Sequence, residues 1–186
     1  MSTAGLGTDP SAATTPAGVP ASPHEAATTP AGLPASLHEA ATVLADHAIA
    51  ALPAWVERCV AEASEPHGPA VAADLRAPAH AAGVRCAAET GPALRELLFT
   101  DVDAQHSTPL SILRDAVRFP TEVLRAGGVP APERDEFDAS RFPDDPYGLT
   151  PASFADIEPE LGPVGIVWGA AKAFEVLQRR RAGPRR

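Results

Sequence analysis

The sequence predicts an all-α fold: a compact helical bundle with kinked helices and a long ordered loop before the C-terminal helix. Of the 186 residues, 45% are hydrophobic but only 5% are aromatic. Alanine supplies much of the apolar fraction, and small side chains favour closely packed helices over a sheet sandwich. No stretch alternates apolar and polar residues over the length of a strand, whereas several stretches repeat apolar residues at helical spacing.

The N-terminal part contains a direct duplication. Residues 12–25 recur as residues 26–39, with Val19 replaced by Leu33 and Pro23 by Leu37. Two copies are too few for a solenoid, which needs about three. The Ala, Thr, Pro and Gly composition buries too little apolar area to offset the entropy of ordering. We therefore expect a disordered arm over residues 1–35, a single helical domain over 36–182 and a basic tail at 183–186.

The second copy of the duplication opens the first predicted helix. Ser36 and Glu39 have the spacing of a capping box, in which each side chain binds the other residue's free amide. Pro53 lacks an amide donor and crowds the carbonyl of Ile49, which predicts either a bent helix or two abutting helices. The residues expected on the inward face are Leu37, Ala41, Leu44, Ala48, Leu52, Trp55, Cys59 and Ala63.

A second helical stretch extends from Pro69 to Leu98, with expected interruptions at Gly83 and at the Gly91–Pro92 pair. Most of its inward positions carry small side chains, so that neighbouring helices can approach closely. These positions are Val71, Leu75, Ala79, Ala82 and Cys86.

A third stretch begins at Thr108 and Pro109, a cap followed by proline at the first helical position. Pro120 is expected to kink or divide it, and Gly127 with Gly128 to end it. The residues expected to face inward are Leu110, Leu113, Val117 and Leu124.

Residues 135–160 show neither helical nor strand periodicity, and a stretch of this length inside a compact domain is usually functional or disordered. We expect it to be ordered, with Asp144 and Asp145 outside as hydrogen-bond acceptors. It is then a lid over the core, a surface for a partner, or a ligand or metal site. The side chains expected to anchor it are Phe137, Phe142, Tyr147, Leu149, Phe154 and Ile157.

The last predicted elements follow this loop. Thr150 with Pro151 is expected to cap a short turn that ends at Ile157, before a final amphipathic helix. Three arginines at its end, 179–181, suit a helix C-terminus. The inward residues expected in that helix are Val164, Val167, Trp168, Ala171, Phe174 and Leu177.

The net charge and the distribution of apolar residues argue against some classes of function and location. A formal net charge of −9 argues against nucleic-acid binding through the overall field. The chain opens without a basic region followed by an apolar run, so no secretory signal is visible. The longest apolar run, residues 164–171, is too short to cross a bilayer. We therefore expect a cytoplasmic protein that does not bind membranes.

The sequence gives no positive support for catalysis, a metal or a cofactor. Asp101, Asp103 and His106 have the side chains of a calcium loop, but the sixth loop position lacks the glycine and the twelfth lacks the glutamate. Zinc-ligand types also occur, at spacings without the pairing that makes a zinc motif specific; they are Cys59, Cys86, His67 and His80. Nucleophile elbows, phosphate-cradling glycine loops and dinucleotide fingerprints are missing from the sequence.

A basic stripe is the clearest candidate for ligand binding. Arg114, Arg118 and Arg125 recur at spacings that place them on one helical face, with Glu122 expected to pair with Arg118. Such a stripe binds a phosphate or carboxylate, or meets solvent or the chain's own acidic loop.

The C-terminal part also resembles a family of small all-helical proteins from high-GC Gram-positive bacteria that has no assigned activity. The resemblance covers about residues 107–177 and implies a cytoplasmic helical protein, without bringing any catalytic residue. The segments that carry it are residues 118–125, 134–137, 142–145, 149–156 and 168–173.

Two main functions are compatible with these observations, beside a third possibility, weak and salt-dependent binding of nucleic acid by the basic tail alone. The first is a non-enzymatic interaction or adaptor protein that binds another protein through the loop 135–160 and the C-terminal helix. The second is a protein with a pocket between Pro120 and the loop that binds an anionic small molecule or acts on it. In the second case Arg114 or Arg118 orients the anion, and Tyr147 or Trp168 lines the wall. The candidate binding residues of both are Arg114, Arg118, Asp144, Asp145, Tyr147 and Trp168.

Overall fold

The all-α prediction is confirmed in the structure, a computed structural model that describes residues 36–100 and 109–183. None of these residues forms a strand, and a 3-10 turn at Glu65–His67 joins the first two helices. The predicted arm at 1–35, the cap at Thr108 and the tail residues 184–186 lie outside the described residues. The helices are α1 Leu37–Ser64, α2 Pro69–Phe99, α3 Pro109–Asp115, α4 Arg118–Ala126, α5 Glu136–Arg141, α6 Phe154–Ile157 and α7 Leu161–Ala182.

Helix α1 lies at the centre of the bundle. Ser36 caps it as predicted, since the Ser36 hydroxyl accepts a hydrogen bond from the Glu39 amide at 3.2 Å. Six of the eight predicted inward residues are buried, and Leu37 and Ala63 are half-buried. The buried surface is wider than predicted because α1 contacts α2, α4, α6 and α7 at once. The additional buried residues of α1 include Ala40, Ala45, Ala51, Val56 and Val60.

A close backbone contact joins Pro53 of α1 to Gly83 of α2. A Cβ atom at Gly83 would lie 2.8 Å from both the Cα and the carbonyl oxygen of Pro53. Both helices continue through these residues, so α1 is not two abutting helices. The predicted interruptions of α2 at Gly83 and Gly91 are wrong. These glycines serve close packing instead, because a Cβ at Gly91 would lie 3.2 Å from the Ile49 side chain.

The division of the third stretch at Pro120 is confirmed. Helix α3 ends at Asp115, and Pro120 is the third residue of α4, where an N–H has no partner within the helix. Gly127 ends α4, and its N–H donates to the Val123 carbonyl at 2.9 Å. Of the predicted inward residues, Leu113, Val117 and Leu124 are buried.

The segment 135–160 contains two short helices: α5, where the sequence predicted a loop, and α6, where it predicted a short turn that ends at Ile157. Ser153, not Thr150, caps α6, in a capping box with Asp156. Arg58 of α1 ties α6 to the bundle by donating to the carbonyls of Asp156 and Ile157, at 3.2 and 2.6 Å. Tyr147, Phe154 and Ile157 are buried anchors and Phe142 and Leu149 are half-buried, whereas Phe137 is exposed.

Helix α7 packs mainly on α1 and α6 through Leu161, Trp168 and half-buried valines. The prediction that Phe174 and Leu177 face inward is wrong, since they are 61% and 51% exposed. Helical rotation explains the error. Leu177 follows Trp168 by nine residues, which places it about 180° around the helix from the buried tryptophan.

Both cysteines lie within the core as free thiols. Burial raises the pKa of Cys59 from 9.0 to about 12 and that of Cys86 from 9.0 to about 11. A thiolate is therefore disfavoured in the folded state. The neutral thiols of Cys59 and Cys86 therefore contribute fully to the free energy of unfolding below about pH 9. This contribution is lost as the pH rises through the raised folded-state pKa values of the two cysteines.

We expect Gly83→Ala to lower the free energy of unfolding by about 1–3 kcal/mol, because the new Cβ meets the backbone of Pro53. Gly169→Ala in α7 is the matched control, since nothing lies within 4 Å of its added Cβ. The control is expected to stabilise by about 0.5–1 kcal/mol through helix propensity. Urea denaturation of both variants at one low protein concentration measures the difference. Equal effects would contradict the close contact.

We also expect Cys59 and Cys86 to resist Ellman's reagent in the folded chain at neutral pH and to react quickly in urea, because burial protects them and suppresses the thiolate. Ala88→Cys places a thiol on the exposed side of α2 and provides the control. It should react at once without denaturant. Fast labelling of both native cysteines would show that the core opens far more readily than its packing implies.

Candidate functional site

A cleft of about 760 Å³ lies between α2, the α3–α4 pair and the residues that follow α5. Glu89 and Thr90 of α2 form one wall, and Phe142 with Pro143 forms the opposite one. This is the place where the sequence predicted a pocket, between the helix that contains Pro120 and the loop. Its volume falls within the range of small-molecule sites, about 300–1,000 Å³.

Four arginines line this cleft. Arg114 and Arg141 both approach the Phe142 ring, with guanidinium carbons 5.4 and 5.2 Å from its centroid. Arg118 donates to the Glu89 carboxylate at 2.6 Å. Arg125 completes the set, about two turns beyond Arg118 on α4.

The predicted pair between Arg118 and Glu122 is wrong. Arg118 binds Glu89, and Glu122 lies 3.6 Å from Arg85, so both α4 side chains pair with α2. The contact between α2 and α4 gives Arg118 and Glu122 ion-pair partners on α2, which the spacing of residues within α4 cannot predict.

The lining carries four arginines and five acids, and three of the acids are engaged within the protein. Glu89 and Glu122 are paired as above, and the Asp145 carboxylate accepts hydrogen bonds from the loop, which leaves Asp115 and Asp144 as the lining acids without an ion pair among the described residues. Three lining arginines form no ion pair within the described part of the chain; they are Arg114, Arg125 and Arg141. An anion entering the cleft therefore meets guanidinium groups that no carboxylate of the described residues holds in an ion pair.

Asp145 holds the loop wall of the cleft in place. The prediction that it lies outside is wrong, since it is 4% exposed. Its carboxylate accepts hydrogen bonds from the Leu149 amide at 2.9 Å and from the amide and hydroxyl of Thr150, both at 2.7 Å. Arg134 donates to the backbone carbonyls of Phe142 and Asp145 from the other side. The neighbouring Asp144 is exposed and lines the cleft.

Tyr147 and Trp168, the remaining predicted site residues, do not reach this cleft. The Tyr147 hydroxyl donates to the Val129 carbonyl at 2.7 Å, and its ring lines a separate cavity of about 500 Å³ with His67. Trp168 packs in the core under Lys172, whose Nζ lies 5.1 Å from the ring. Both serve mainly to fix the loop and α7.

Two residues of the cleft were not found by sequence analysis. Thr121, in the α4 wall, is 2% exposed, and its hydroxyl has no hydrogen-bond partner among the described residues. A buried polar group without a partner normally costs free energy, and such exceptions often mark binding sites. Arg141 was missed because residues 135–160 have no periodicity that would place it beside Arg114. No sequence signal distinguishes Thr121 from any other helical threonine.

The described residues contain no group of three or more His, Cys, Asp or Glu side chains that could hold a metal ion. The predicted zinc-ligand types are dispersed, with both cysteines buried and His80 bound to Glu57 at 2.7 Å. Asp101, Asp103 and His106 lie outside the described residues. No described helix combines the length and apolar character needed to cross a bilayer.

We expect Asp145→Ala to lower the free energy of unfolding by about 3 kcal/mol, because it removes a charged acceptor and leaves two loop amides without a partner. Asp144→Ala is the matched control. It removes an exposed carboxylate one residue away and should cost at most about 0.5 kcal/mol. Thermal denaturation followed by circular dichroism measures both, and equal losses would remove Asp145 from its anchoring role.

Comparisons of the chain with protein-family models, with curated proteins and with solved structures found no match. The resemblance to the bacterial helical family therefore stays a prediction, and the function has to be argued from the cleft itself.

Proposed function

We propose that this chain binds a small organic anion, a carboxylate or a phosphate ester, in the cleft between α2, α4 and the Asp145 loop. The observation that carries the proposal is the set of three arginines without ion pairs around a cleft of about 760 Å³. Guanidinium groups present a planar fork of donors that fits both carboxylates and phosphates. Both ligand classes share this chemistry, and experiment can separate them.

The position of Phe142 supports a ligand with an apolar body. Its half-buried ring lies between Arg114 and Arg141, so the two guanidinium groups are held by cation–π contacts without being neutralised. Ile112, Ala93 and Pro143 add apolar surface to the same cleft. Specific small-molecule sites commonly combine such a mostly apolar wall with a few placed polar groups.

We propose binding without bond-making chemistry. The described residues that line the cleft include no histidine, cysteine, serine or lysine, and these are frequent proton carriers and nucleophiles. The lining carboxylates Glu89 and Glu122 pair with arginines. We also infer a cytoplasmic location, which the two unpaired thiols favour because disulfides are rare in reducing compartments.

The adaptor function through the loop has less support. Of the loop residues that it requires, Asp145 and Tyr147 are buried and engaged in hydrogen bonds within the loop and to Val129, whereas Asp144 and Phe137 are exposed. The loop contributes a wall to the cleft, and its geometry fits ligand recognition better than protein docking.

We expect phenyl phosphate or benzoate to raise the melting temperature of the chain, and benzyl alcohol, which lacks the charge, to leave it unchanged. A ligand at about ten times its Kd adds about 1.4 kcal/mol of stability, or about 4 °C for a domain of this size. A response to phenyl phosphate alone assigns a phosphate site, and a response to benzoate alone assigns a carboxylate site. Arg114→Gln and Arg141→Gln should each abolish most of the shift.

Arg76→Gln is the control for these variants, since Arg76 is exposed on α2 and does not line the cleft. It should retain the full shift. Thr121→Val separates a ligand-binding role from a structural one. It removes a hydroxyl that has no hydrogen-bond partner in the described part of the chain, so the unliganded chain should be at least as stable while the shift shrinks. No shift with either anion, or equal shifts in the arginine variants and the control, would contradict the proposal.

A further inference from the structure

The outer face of α7 is apolar and exposed along its whole middle section. Ile166 is 74% exposed and Phe174 is 61% exposed, although a helix face open to water normally carries polar side chains. The outer face consists of Ile166, Gly169, Ala170, Ala173, Phe174 and Leu177, all of them exposed.

These positions follow the spacing of a helix-packing stripe. They recur at intervals of three and four residues and lie on the side of α7 opposite Trp168, which packs into the core. Gly169, Ala170 and Ala173 lie at the centre of the stripe, where small side chains let another helix approach closely. Larger side chains, Ile166 and Phe174, lie on either side. α7 therefore has two packing faces, of which the described residues cover only one.

The two large side chains of the stripe that flank its centre lie symmetrically about Ala170. Ile166 precedes this residue by four positions and Phe174 follows it by four. Glu160 and Arg180 lie ten positions before and after it, about 15 Å in each direction. If two α7 helices cross antiparallel with the two-fold axis at Ala170, Ile166 of one meets Phe174 of the other, and Glu160 meets Arg180.

We propose that a second copy of this chain covers the outer face of α7, through an antiparallel pair of α7 helices centred on Ala170. The charges select this arrangement. The start of α7 is acidic, with Glu158 and Glu160, and its end is basic, with Arg180 and Arg181. Antiparallel pairing places opposite charges together at both ends, whereas parallel pairing places like charges together.

The length of α7 and the composition of residues 1–35 both favour a second copy of the chain as the partner of this face. α7 is 22 residues long, about 33 Å, so the contact belongs to the small class of interfaces and should give a weak dimer, with Kd in the micromolar range. Residues 1–35 are a poor alternative cover, because their large apolar side chains are only Met1, Leu6, Val19 and Leu33. The inference uses none of the residues that line the cleft and is independent of anion binding.

Sedimentation equilibrium of the full chain over a range of concentrations tests the dimer. We expect a monomer–dimer equilibrium that Phe174→Glu weakens by at least about tenfold in Kd. Val84→Glu is the control, because Val84 is a 52% exposed apolar residue on α2, outside the proposed contact. A chain that stays monomeric throughout overturns the proposal, and so does an equal effect of the two variants.

Charge reversal tests the orientation. Glu160→Arg and Arg180→Glu should each weaken the dimer, and the double variant should regain most of the lost affinity because each pair is restored with reversed sign. Cross-linking provides a second measurement. Oxidation of a mixture of Ile166→Cys and Phe174→Cys chains should yield the mixed disulfide in preference to either symmetric one, while the buried Cys59 and Cys86 stay reduced. Preferential Ile166→Cys homodimers would indicate a parallel pair and overturn the arrangement.

Discussion

The close approach of α1 and α2 at Pro53 and Gly83 is the constraint on which the rest of the structure depends. Only a residue without a side chain allows the α2 backbone to lie against the backbone of Pro53, where a Cβ would be 2.8 Å from two atoms. Alanines on α1 and α2 extend this close packing in both directions. Because the two long helices lie so near each other, α1 can be buried on several sides and still contact α4, α6 and α7.

The cleft is a consequence of this arrangement. The C-terminal half of α2 presents Glu89 and Thr90 beside α4, and Glu89 binds Arg118 across the gap. The opposite wall is a loop held by one buried carboxylate, that of Asp145. Asp145 is bound within its own loop and Glu89 by Arg118, so neither acid forms an ion pair with Arg114, Arg125 or Arg141. These two acids hold the walls of the cleft and leave the three guanidinium groups without an ion pair among the described residues.

Local signals in the sequence identified much of this fold. The Ser36 cap, the division of the helix at Pro120 and the helix end at Gly127 follow from interactions within a few residues, and all three are present. The position of the pocket and two of its arginines, Arg114 and Arg118, were also predicted. These features could be derived because helix capping and periodicity depend on near neighbours in the chain.

The errors share a different cause. The break predicted at Gly83 is wrong because nothing in its own helix shows that Pro53 lies against it. Glu122 has an arginine at the right spacing on α4, yet it pairs with Arg85 of α2. Asp145 was predicted to lie outside, but the backbone amides of Leu149 and Thr150 in the following turn donate hydrogen bonds to its carboxylate. Each depends on contacts between distant elements or on the path of an irregular segment, which periodicity does not encode.

The proposed combination of a rigid α1–α2 pair with a cleft whose wall binds an anion can be measured directly. The measurement is native-state hydrogen exchange of the full chain, followed by NMR with and without phenyl phosphate. The account predicts that the slowest amides lie on α1 and α2 around Pro53 and Gly83 and are unaffected by the anion. Amides in the first turns of α4 and in residues 141–150 should exchange more slowly when the anion is present. Faster exchange in α1 or α2 than in α4, or unchanged protection around the cleft, would contradict it.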